Sequence, residues 1–293
     1  MFDSAAARVS ERARLGSVSA EPAGSMGFGG RVVRLPFGGS DGPVSGPVAG
    51  PVTGPSAGPA DCHPMELCLL GGFRLVVGGE FVHVGRTGER VLAAVACRGR
   101  QVSRAQVASA LWPDVTSARA HANLRTALYR LSRVCPVVHA SSSHVQLAVG
   151  LSIDVERASR VAARVVAGEG GSDVGVVAEA LGVNLYEDLL PDWDDEWLVD
   201  QQYRYRQLRL TALEMLSGLL TRAGQFGAAV QAALAAVQAD GLRDSAHETL
   251  IRACLAQGNR HEAFLHFQSY RRLLRDELGL DPPARLSELL FSA

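Results

Sequence analysis

Residues 118–133 read ARAHANLRTALYRLSR, and this stretch decides how the whole chain is interpreted. At about 100° per residue, its apolar side chains fall on one stripe, which predicts a helix with a single buried face. That stripe consists of Ala120, Leu124, Ala127, Leu131 and Val134, flanked by Leu128. The opposite face carries Arg119, Arg125, Thr126, Tyr129, Arg130 and Arg133, with Asn123 at its edge. The stretch contains no Asp or Glu.

The arginines of this helix would repel one another unless an anionic partner lay opposite them. A helix fits the major groove of DNA, where arginine pairs with guanine and asparagine with adenine, while other arginines hold phosphates. The alternative is an ordinary solvated helix face. The absence of acidic residues favours DNA, and we assign the polar face between Arg119 and Arg133 to a DNA-binding site.

The surrounding patterns predict the rest of a small domain. Gly78-Gly79 separates two apolar runs, residues 73–77 and 80–84, which indicates a β-hairpin. A helix is predicted from Thr87 to Cys97, with Val91, Leu92, Val95 and Ala96 buried. Ser103 and Gln106 form a capping box that opens a second helix, which ends before Pro113. Two strands, residues 136–140 and 144–148, follow the third helix and are joined by three serines.

Strands, three helices and a final hairpin make the pattern of a winged helix-turn-helix. In this arrangement we also assign Ser103 and Arg104, at the start of the second helix, and Ser142 and His144, in the wing, to the DNA-binding site. The alternative for His139 and His144 is an exposed loop position without a role.

Three motifs resemble one known family. They are Leu69-Leu70-Gly71, Ala110-Leu111-Trp112-Pro113 and the run from Asn123 to Leu131. Together they are similar to the OmpR-type winged helix of the SARP family, the Streptomyces antibiotic regulatory proteins. One feature departs from that family: its wings carry arginine and glycines before an aromatic residue, whereas this wing carries His139-Ala140-Ser141-Ser142-Ser143-His144. This departure argues against insertion of the wing into the minor groove.

The charges divide the chain. Residues 66–150 hold ten arginines and four acids, a charge of +6, whereas residues 151–293 hold 14 arginines and 21 acids, a charge of −7. The total of −1 therefore hides a basic domain followed by an acidic one, which favours nucleic acid on one side and protein on the other. The chain has no lysine, which excludes Walker-type phosphate loops and Schiff-base catalysis.

The acidic half shows helical periodicity, as at Leu208, Ala212, Met215, Leu216 and Leu219, and no strand alternation. Gly224, Ala229 and Ala233 recur 34 residues later as Gly258, Ala263 and Phe267, which is the tetratricopeptide period. The alternative is a helical bundle with accidental spacing. Leu189-Leu190-Pro191, Trp197, the run from Arg206 to Leu210 and the run from Arg275 to Pro282 resemble the bacterial transcriptional activator domain, a tetratricopeptide-like array.

An acidic cluster in this half has two interpretations. Asp192, Asp194, Asp195, Glu196 and Asp200 surround Trp193 and Trp197. The first interpretation, which we favour, is a helix N-terminus stabilised by negative charge, with one tryptophan in the core. The second is a contact surface for the basic domain or for a polymerase.

We therefore expect a mainly α fold with a small β component, divided into three parts. Residues 1–64 form a disordered tail rich in Gly and Pro, or an over-extended start before Met26 or Met65. Residues 65–150 form the winged-helix domain, and residues 151–293 the all-α tetratricopeptide-like domain. No catalytic motif, cofactor site, metal site, signal peptide or membrane span is predicted, which fits the cytoplasm.

The resemblance implies a transcriptional activator of a secondary-metabolite (antibiotic) gene cluster. Such a protein would bind direct repeats in promoter DNA, associate with itself there and contact RNA polymerase, at the nucleoid. Two alternatives remain from other functional classes. One is a tetratricopeptide adaptor that has lost DNA binding, and the other is a regulator gated by a small molecule in the helical domain.

Overall fold

The computed structural model describes residues 64–168 and 173–291. The predicted tail, residues 1–64, lies outside these residues except for Pro64. The first half of the described chain contains β1 Met65–Cys68, β2 Arg74–Val77, β3 Glu80–Phe81, α1 Gly85–Arg98, β4 Gln101–Ser103, α2 Arg104–Leu111, α3 Ser117–Val134, β5 Val138–Ala140, β6 His144–Leu147 and β7 Leu151–Ile153.

The second half is helical, and the mainly α fold with a small β component is confirmed. Its helices are α4 Asp154–Ala167, α5 Asp173–Leu181, α6 Glu196–Arg222, α7 Phe226–Ala239, α8 Asp244–Ala256, α9 Arg260–Leu278 and α10 Ala284–Phe291.

The first sheet has the strand order β3-β2-β1-β7. The hairpin predicted at Gly78-Gly79 joins β2 to β3, with Val77 paired to Glu80. Both glycines have positive φ, +62° and +86°. A two-residue hairpin of this kind needs positive φ at both central positions, which glycine adopts at little cost.

The strand β7 differs from the sequence expectation of helices alone after residue 150. It pairs in parallel with β1, so Leu67 lies beside Ile153. Both Leu151 and Ile153 are 1% exposed. A strand of three residues is too short to show alternation, and its partner lies more than 80 residues away along the chain, so the local pattern carried no signal.

The three helices of the first half pack around a common core. Ala120, Leu124, Ala127 and Leu131 of α3 are buried, as predicted. Val134 is 50% exposed, so its assignment to the buried stripe is wrong. This residue ends the helix, and the chain turns there into an extended conformation at Cys135. On α1 the buried set is wider than predicted, because Ala93 and Ala94 are also fully buried, whereas Ala96 is only partly buried.

A glycine allows α1 and α3 to approach closely. A Cβ atom built on Gly88 would lie 2.9 Å from Cδ2 of Leu131, closer than real side chains come. The capping box of α2 is present as predicted. The preceding strand β4 was not predicted, because only Val102 of its three residues is buried. It pairs with β6 in a second sheet of order β4-β6-β5.

The helices of the second half form antiparallel pairs at the predicted spacing. Gly224 ends the turn between α6 and α7, and Gly258 does so between α8 and α9, with φ of +71° and +86°. Ala229 and Ala263 are fully buried near the start of the second helix of each pair. The helical periodicity that includes Met215 is present as α6, although Met215 itself is 39% exposed.

A backbone joint connects the two halves. Both oxygens of the Asp154 carboxylate accept the N–H of Leu69, at 2.9 and 3.0 Å, and one of them also accepts the N–H of Leu70 at 3.0 Å. Next to them, Leu70 pairs with Leu189, and the N–H of Leu190 donates to the carbonyl of Leu69 at 2.9 Å. The end of β1 is therefore completed by residues from the second half.

Two side chains of α6 hold the segment that pairs with Leu70. Arg209 is 1% exposed and contacts the Asp188 carboxylate at 2.5 Å and the Tyr186 carbonyl at 2.9 Å. The side-chain amide of Gln202 donates to the carbonyls of Leu190 and Trp193. The run from Arg206 to Leu210, conspicuous in the sequence, thus supplies a buried cation that fixes the joint.

The second interpretation of the acidic cluster holds for one of its members. The Asp195 carboxylate accepts from Nε of Arg90 at 2.6 Å and lies 3.5 Å from Arg86, both on α1. The Arg86 guanidinium covers the ring of Trp193, 3.8 Å from its centroid, and Phe73 stacks on that ring. Asp195 also precedes α6 directly, but it makes no side-chain cap there.

The remaining acids of the cluster point elsewhere. In the described part of the chain, Asp192, Asp194, Glu196 and Asp200 make no ion pair. Trp193 is 8% exposed, which fits the one core tryptophan of the first interpretation, whereas Trp197 is only partly buried. The cluster is therefore a joint with the basic half at Asp195 and a solvated surface around it.

Replacing Asp154 tests the joint. Asp154→Ala leaves the amides of Leu69 and Leu70 without their acceptor, and we expect the free energy of unfolding to fall by about 3 kcal/mol. Asp154→Asn keeps one acceptor oxygen and should reduce the free energy of unfolding by about 1 kcal/mol. The measurement is urea denaturation followed by circular dichroism. Asp200→Ala, an exposed acid on α6, is the control and should leave the midpoint unchanged; an equal loss in Asp154→Ala and the control contradicts the assignment.

A buried histidine makes stability depend on pH. His247 is 6% exposed, its ring stacks on Tyr270 at 3.7 Å, and its Nε2 donates to the Gly241 carbonyl at 2.9 Å. Its Nδ1 is buried without a hydrogen-bond partner among the described residues, so a proton added there would meet no acceptor. Burial lowers the pKa of His247 below 6.5, and His266 lowers it further, against the opposing effects of the Gly241 carbonyl, Asp244 and Asp240.

The lowered pKa of His247 determines the direction in which the free energy of unfolding changes with pH. Between the lowered pKa of the folded state and about pH 6.5, the unfolded chain binds a proton that the folded chain does not, so the free energy of unfolding falls as the pH drops through this range. His247→Phe keeps the stack on Tyr270 without titrating, and it should lose less stability between about pH 7.5 and 5.5 than the wild type in urea titrations. The control is His261→Phe on the exposed surface of α9, which should behave as wild type. Identical pH profiles for all three proteins exclude the role of His247.

Candidate nucleic-acid interface

The polar face of α3 lies in solvent. Arg119, Arg125, Thr126, Tyr129, Arg130 and Arg133 are exposed, and Asn123 is partly buried at the edge of this surface. The buried residues of the same helix pack toward α1 and α2. One face of α3 therefore lies in the core, and the opposite face is exposed to solvent. Positions 119, 123, 126, 130 and 133 follow one another at helical spacing and form a continuous row.

The charge of this face is not neutralised by the protein. Within residues 64–168 and 173–291, the guanidinium groups of Arg119, Arg125, Arg130 and Arg133 make no ion pair or hydrogen bond. We call these four residues the α3 arginine face. Arg86, Arg90 and Arg100 of the same half each pair with an acid. An unpaired row of cations on a rigid helix is suited to an anionic ligand.

The neutral side chains of the face have partly defined hydrogen-bonding roles. The Thr126 hydroxyl donates to the Ala122 carbonyl at 3.1 Å, which leaves its oxygen free to accept. Tyr129 is 64% exposed. Neither the Tyr129 hydroxyl nor the Asn123 amide has a partner among the residues that the structure describes. Both can donate to a ligand without breaking a bond inside the protein.

The start of α2 is tied to the wing. Ser103 accepts from the Gln106 N–H at 3.2 Å, as a capping residue, and donates to Oε1 of Gln106 at 2.9 Å. The Arg104 guanidinium donates to the Ser141 carbonyl at 3.1 Å, and its N–H donates to the Ser143 carbonyl at 2.8 Å. Both side chains already have protein partners. Ser103 therefore caps α2 and Arg104 holds the wing loop in place, and contact with DNA at these positions stays a prediction.

The wing loop is held by hydrogen bonds among its own residues. The Ser141 hydroxyl accepts the N–H groups of Ser143 and His144, at 3.3 and 3.0 Å. The Ser143 hydroxyl lies 2.9 Å from Nδ1 of His144. Ser142 at the tip is exposed and makes no hydrogen bond within the described ranges. Of the two wing residues assigned from the sequence, Ser142 is thus available, and His144 is engaged with its neighbour.

Part of the positive charge of the basic half faces inward. Arg86 and Arg90 contact Asp195, Arg100 contacts Glu156 at 2.9 Å, and the Arg98 guanidinium lies 5.2 Å from the centre of the Trp197 ring. A count of arginines along the sequence does not show this division. The nearest signal is the pair of tryptophans among acids at residues 192–200, which offers partners for cations.

The described part of the chain shows no sign of a metal centre or a membrane span. No three His, Cys, Asp or Glu side chains are grouped there so as to hold a metal ion. No helix among these residues combines the length and apolar character needed to cross a membrane. The four cysteines described, Cys68, Cys97, Cys135 and Cys254, are free thiols.

Known proteins resemble this chain in both halves. Residues 153–290 match the family described as the bacterial transcriptional activator domain. Regulatory protein AfsR of Streptomyces coelicolor is 32% identical over 75% of this chain and 23% of its own length. Regulatory protein AfsR of Streptomyces griseus is 27% identical over 78% of this chain and 24% of its own length. The chain therefore spans about a quarter of the length of these relatives.

A solved structure supports the fold. Mycobacterium tuberculosis EmbR, in complex with a low affinity phosphopeptide, has a TM-score of 0.59, covering 78% of this chain and 64% of that chain at 19% identity. The likeness shows a winged helix-turn-helix followed by an all-α domain. The match to the bacterial transcriptional activator domain and the similarity to the AfsR proteins confirm the resemblance to the SARP family that the motifs carry.

Proposed function

We propose that this chain is a sequence-specific DNA-binding transcriptional activator, most simply of a secondary-metabolite (antibiotic) gene cluster. The observation that carries the proposal is the α3 arginine face, four exposed guanidinium groups on one helix without an acid or a protein partner among the described residues. The family and the relatives named as regulatory proteins support the wider assignment to transcription.

In this proposal α3 lies in the major groove. The row through Arg119, Asn123, Thr126, Arg130 and Arg133 follows the groove, with Arg125 and Tyr129 beside it. Asn123 is the candidate for a bidentate contact with adenine, and an arginine of the row is the candidate for guanine. The remaining arginines, with Ser142 of the wing, hold phosphates and set the register. Arg104 and His144 act mainly by positioning the wing, and Ser103 acts by capping α2.

The two halves have different tasks. Residues 65–150 bind promoter DNA, and residues 151–293 contact other proteins, namely RNA polymerase and further copies of this chain on direct repeats. The −7 charge of the second half fits protein contacts rather than DNA contacts. The strand β7 and Asp154, although they belong to the second half by number, complete the first sheet. The protein acts in the cytoplasm, at the nucleoid.

The double substitution Arg125→Ala with Arg130→Ala tests the face. We expect binding to the DNA upstream of the chain's own gene to weaken about tenfold to a hundredfold at fixed salt. The slope of log K against log salt should fall by about one unit for each phosphate that the variant no longer binds. Gel shifts or fluorescence anisotropy at several salt concentrations measure both quantities.

The matched control removes two other exposed arginines whose side chains have no partner among the described residues, Arg157→Ala with Arg260→Ala. It has the same net charge as the test variant and should bind DNA within about twofold of the wild type. If both double variants lose equal affinity, binding is a general charge effect. If neither loses affinity, α3 is not the DNA-binding helix.

Asn123→Ala separates sequence reading from phosphate binding. Loss of a bidentate base contact should relax discrimination at one base pair by about 1–3 kcal/mol while the salt slope stays unchanged. Competition with operators that carry each base at each position shows this. A variant that weakens binding to all sequences equally would place Asn123 outside base recognition.

A further inference from the structure

A cleft lies between the two halves of the chain, with a volume of about 330 Å³. Its walls come from the end of α1, the first turns of α4, and α6, with Leu189 from the segment before α6. This volume is at the lower end of the range of small-molecule sites, and such sites occur preferentially where domains meet. The cleft is separate from the α3 arginine face.

The floor of the cleft is apolar and uncharged. It is formed by Ala96, Cys97, Val155, Leu189, Tyr205 and Leu208. Burial raises the pKa of the Cys97 thiol to about 12, so the thiol is protonated at neutral pH and is a poor nucleophile. Burial also raises the pKa of the Tyr205 hydroxyl, which donates to the Asn184 carbonyl at 3.4 Å. This surface is suited to a hydrocarbon body.

The rim of the cleft carries polar side chains that have no hydrogen-bond partner among the described residues. Ser159, Gln201 and Arg204 line it, and none of these side chains makes a hydrogen bond or an ion pair within the described residues. Ser159 and Gln201 are partly buried, and Arg204 is exposed. Two neutral donors beside a free guanidinium match the oxygens of a small anion.

The one acidic side chain that lines the cleft, Glu156, is neutralised by arginines and so does not repel an anion. The Glu156 carboxylate is held by Arg100 at 2.9 Å on one oxygen and by Arg160 at 3.0 Å on the other. Two cations therefore surround this single carboxylate, and Arg204 adds a third positive charge. The rim is cationic in sum, above an apolar floor.

We propose that this cleft binds a small amphiphilic carboxylate, with its hydrocarbon body on the floor and its carboxylate at Arg204, Gln201 and Ser159. A ligand in this place contacts α1 of the first half and α4 and α6 of the second half at once. Its binding therefore stabilises the joint between them. The inference rests on the cleft alone and holds whether or not α3 binds DNA.

Decanoate is the probe, titrated into the full chain in an isothermal titration calorimeter below its micelle concentration. We expect saturable binding at about one molecule per chain and a rise in the thermal unfolding midpoint with decanoate concentration. Acetate lacks the hydrocarbon body, and decanol lacks the charge. Each should bind at least about tenfold more weakly than decanoate, because each lacks one of the two recognition elements.

Three variants locate the site. Arg204→Gln removes the charge at an exposed position and should weaken decanoate binding about tenfold. Ser159→Phe fills the cleft and should abolish binding. Arg157→Gln removes an exposed, unpaired arginine of α4 that does not line the cleft, and it should bind as the wild type does. If Ser159→Phe fails to fold, Arg204→Gln and Arg157→Gln still decide the outcome.

Several results overturn the proposal. The first is the absence of a saturable heat of binding, which means that decanoate does not enter the cleft. The second is equal affinity of the wild type for decanoate and decanol. The third is equal affinity of the wild type and Arg204→Gln for decanoate. Loss of DNA binding in Arg125→Ala with Arg130→Ala is measured separately, so failure of the ligand site and failure of the proposed function are distinguishable.

Discussion

The Asp154 carboxylate accepts the backbone N–H groups of Leu69 and Leu70, and much of the molecule depends on this contact. It follows β7 directly, so it fixes the parallel pairing of β7 with β1 on one side and the start of α4 on the other. The same end of β1 pairs with Leu189 and Leu190, which α6 holds through Gln202. Backbone groups of a sheet edge that would otherwise need water are satisfied by the helical half.

The contacts between the two halves also determine which arginines remain unpaired. Those of α1 and of the loop after it, Arg86, Arg90 and Arg100, are used to hold acids of the second half. Those of α3 pair with no acid among the residues that the structure describes. A sum of charges over the basic half treats the two groups alike, whereas the fold separates a set that joins domains from a set that faces solvent. This separation concentrates the unbalanced charge on one helix.

Local patterns in the sequence predicted the features that depend on neighbours along the chain. The hairpin at Gly78-Gly79, the capping box at Ser103 and the repeat of Gly224 at Gly258 each follow from residues a few positions apart or from a fixed period. The candidate DNA-binding face is equally local, since a helix fixes which side chains share a face.

Features that depend on distant partners were not predictable in this way. The strands β4 and β7 have three residues each, and their pairing partners lie far along the chain. The ion pair of Arg90 with Asp195 joins residues 105 positions apart. The acidic cluster around Trp193 allowed a contact with the basic half, but nothing in the sequence identified Arg90 as the partner. The cleft beside Cys97 exists only because three helices from both halves meet there. Val134 was misplaced because a helical wheel does not show where a helix ends.

The parallel strand pair has a consequence for synthesis on the ribosome. Leu69 and Asp154 are 85 positions apart, so β1 leaves the ribosome long before the residues that complete its edge. The helices α1 to α3 can pack as they emerge, because their contacts are local, but the first sheet closes only after α4 has begun and residues 188–190 have appeared. In the interval β1 exposes an open edge, which is a site for wrong pairing. Slow translation between residues 134 and 190 would lengthen that exposure, and a chaperone that binds extended segments would shorten it.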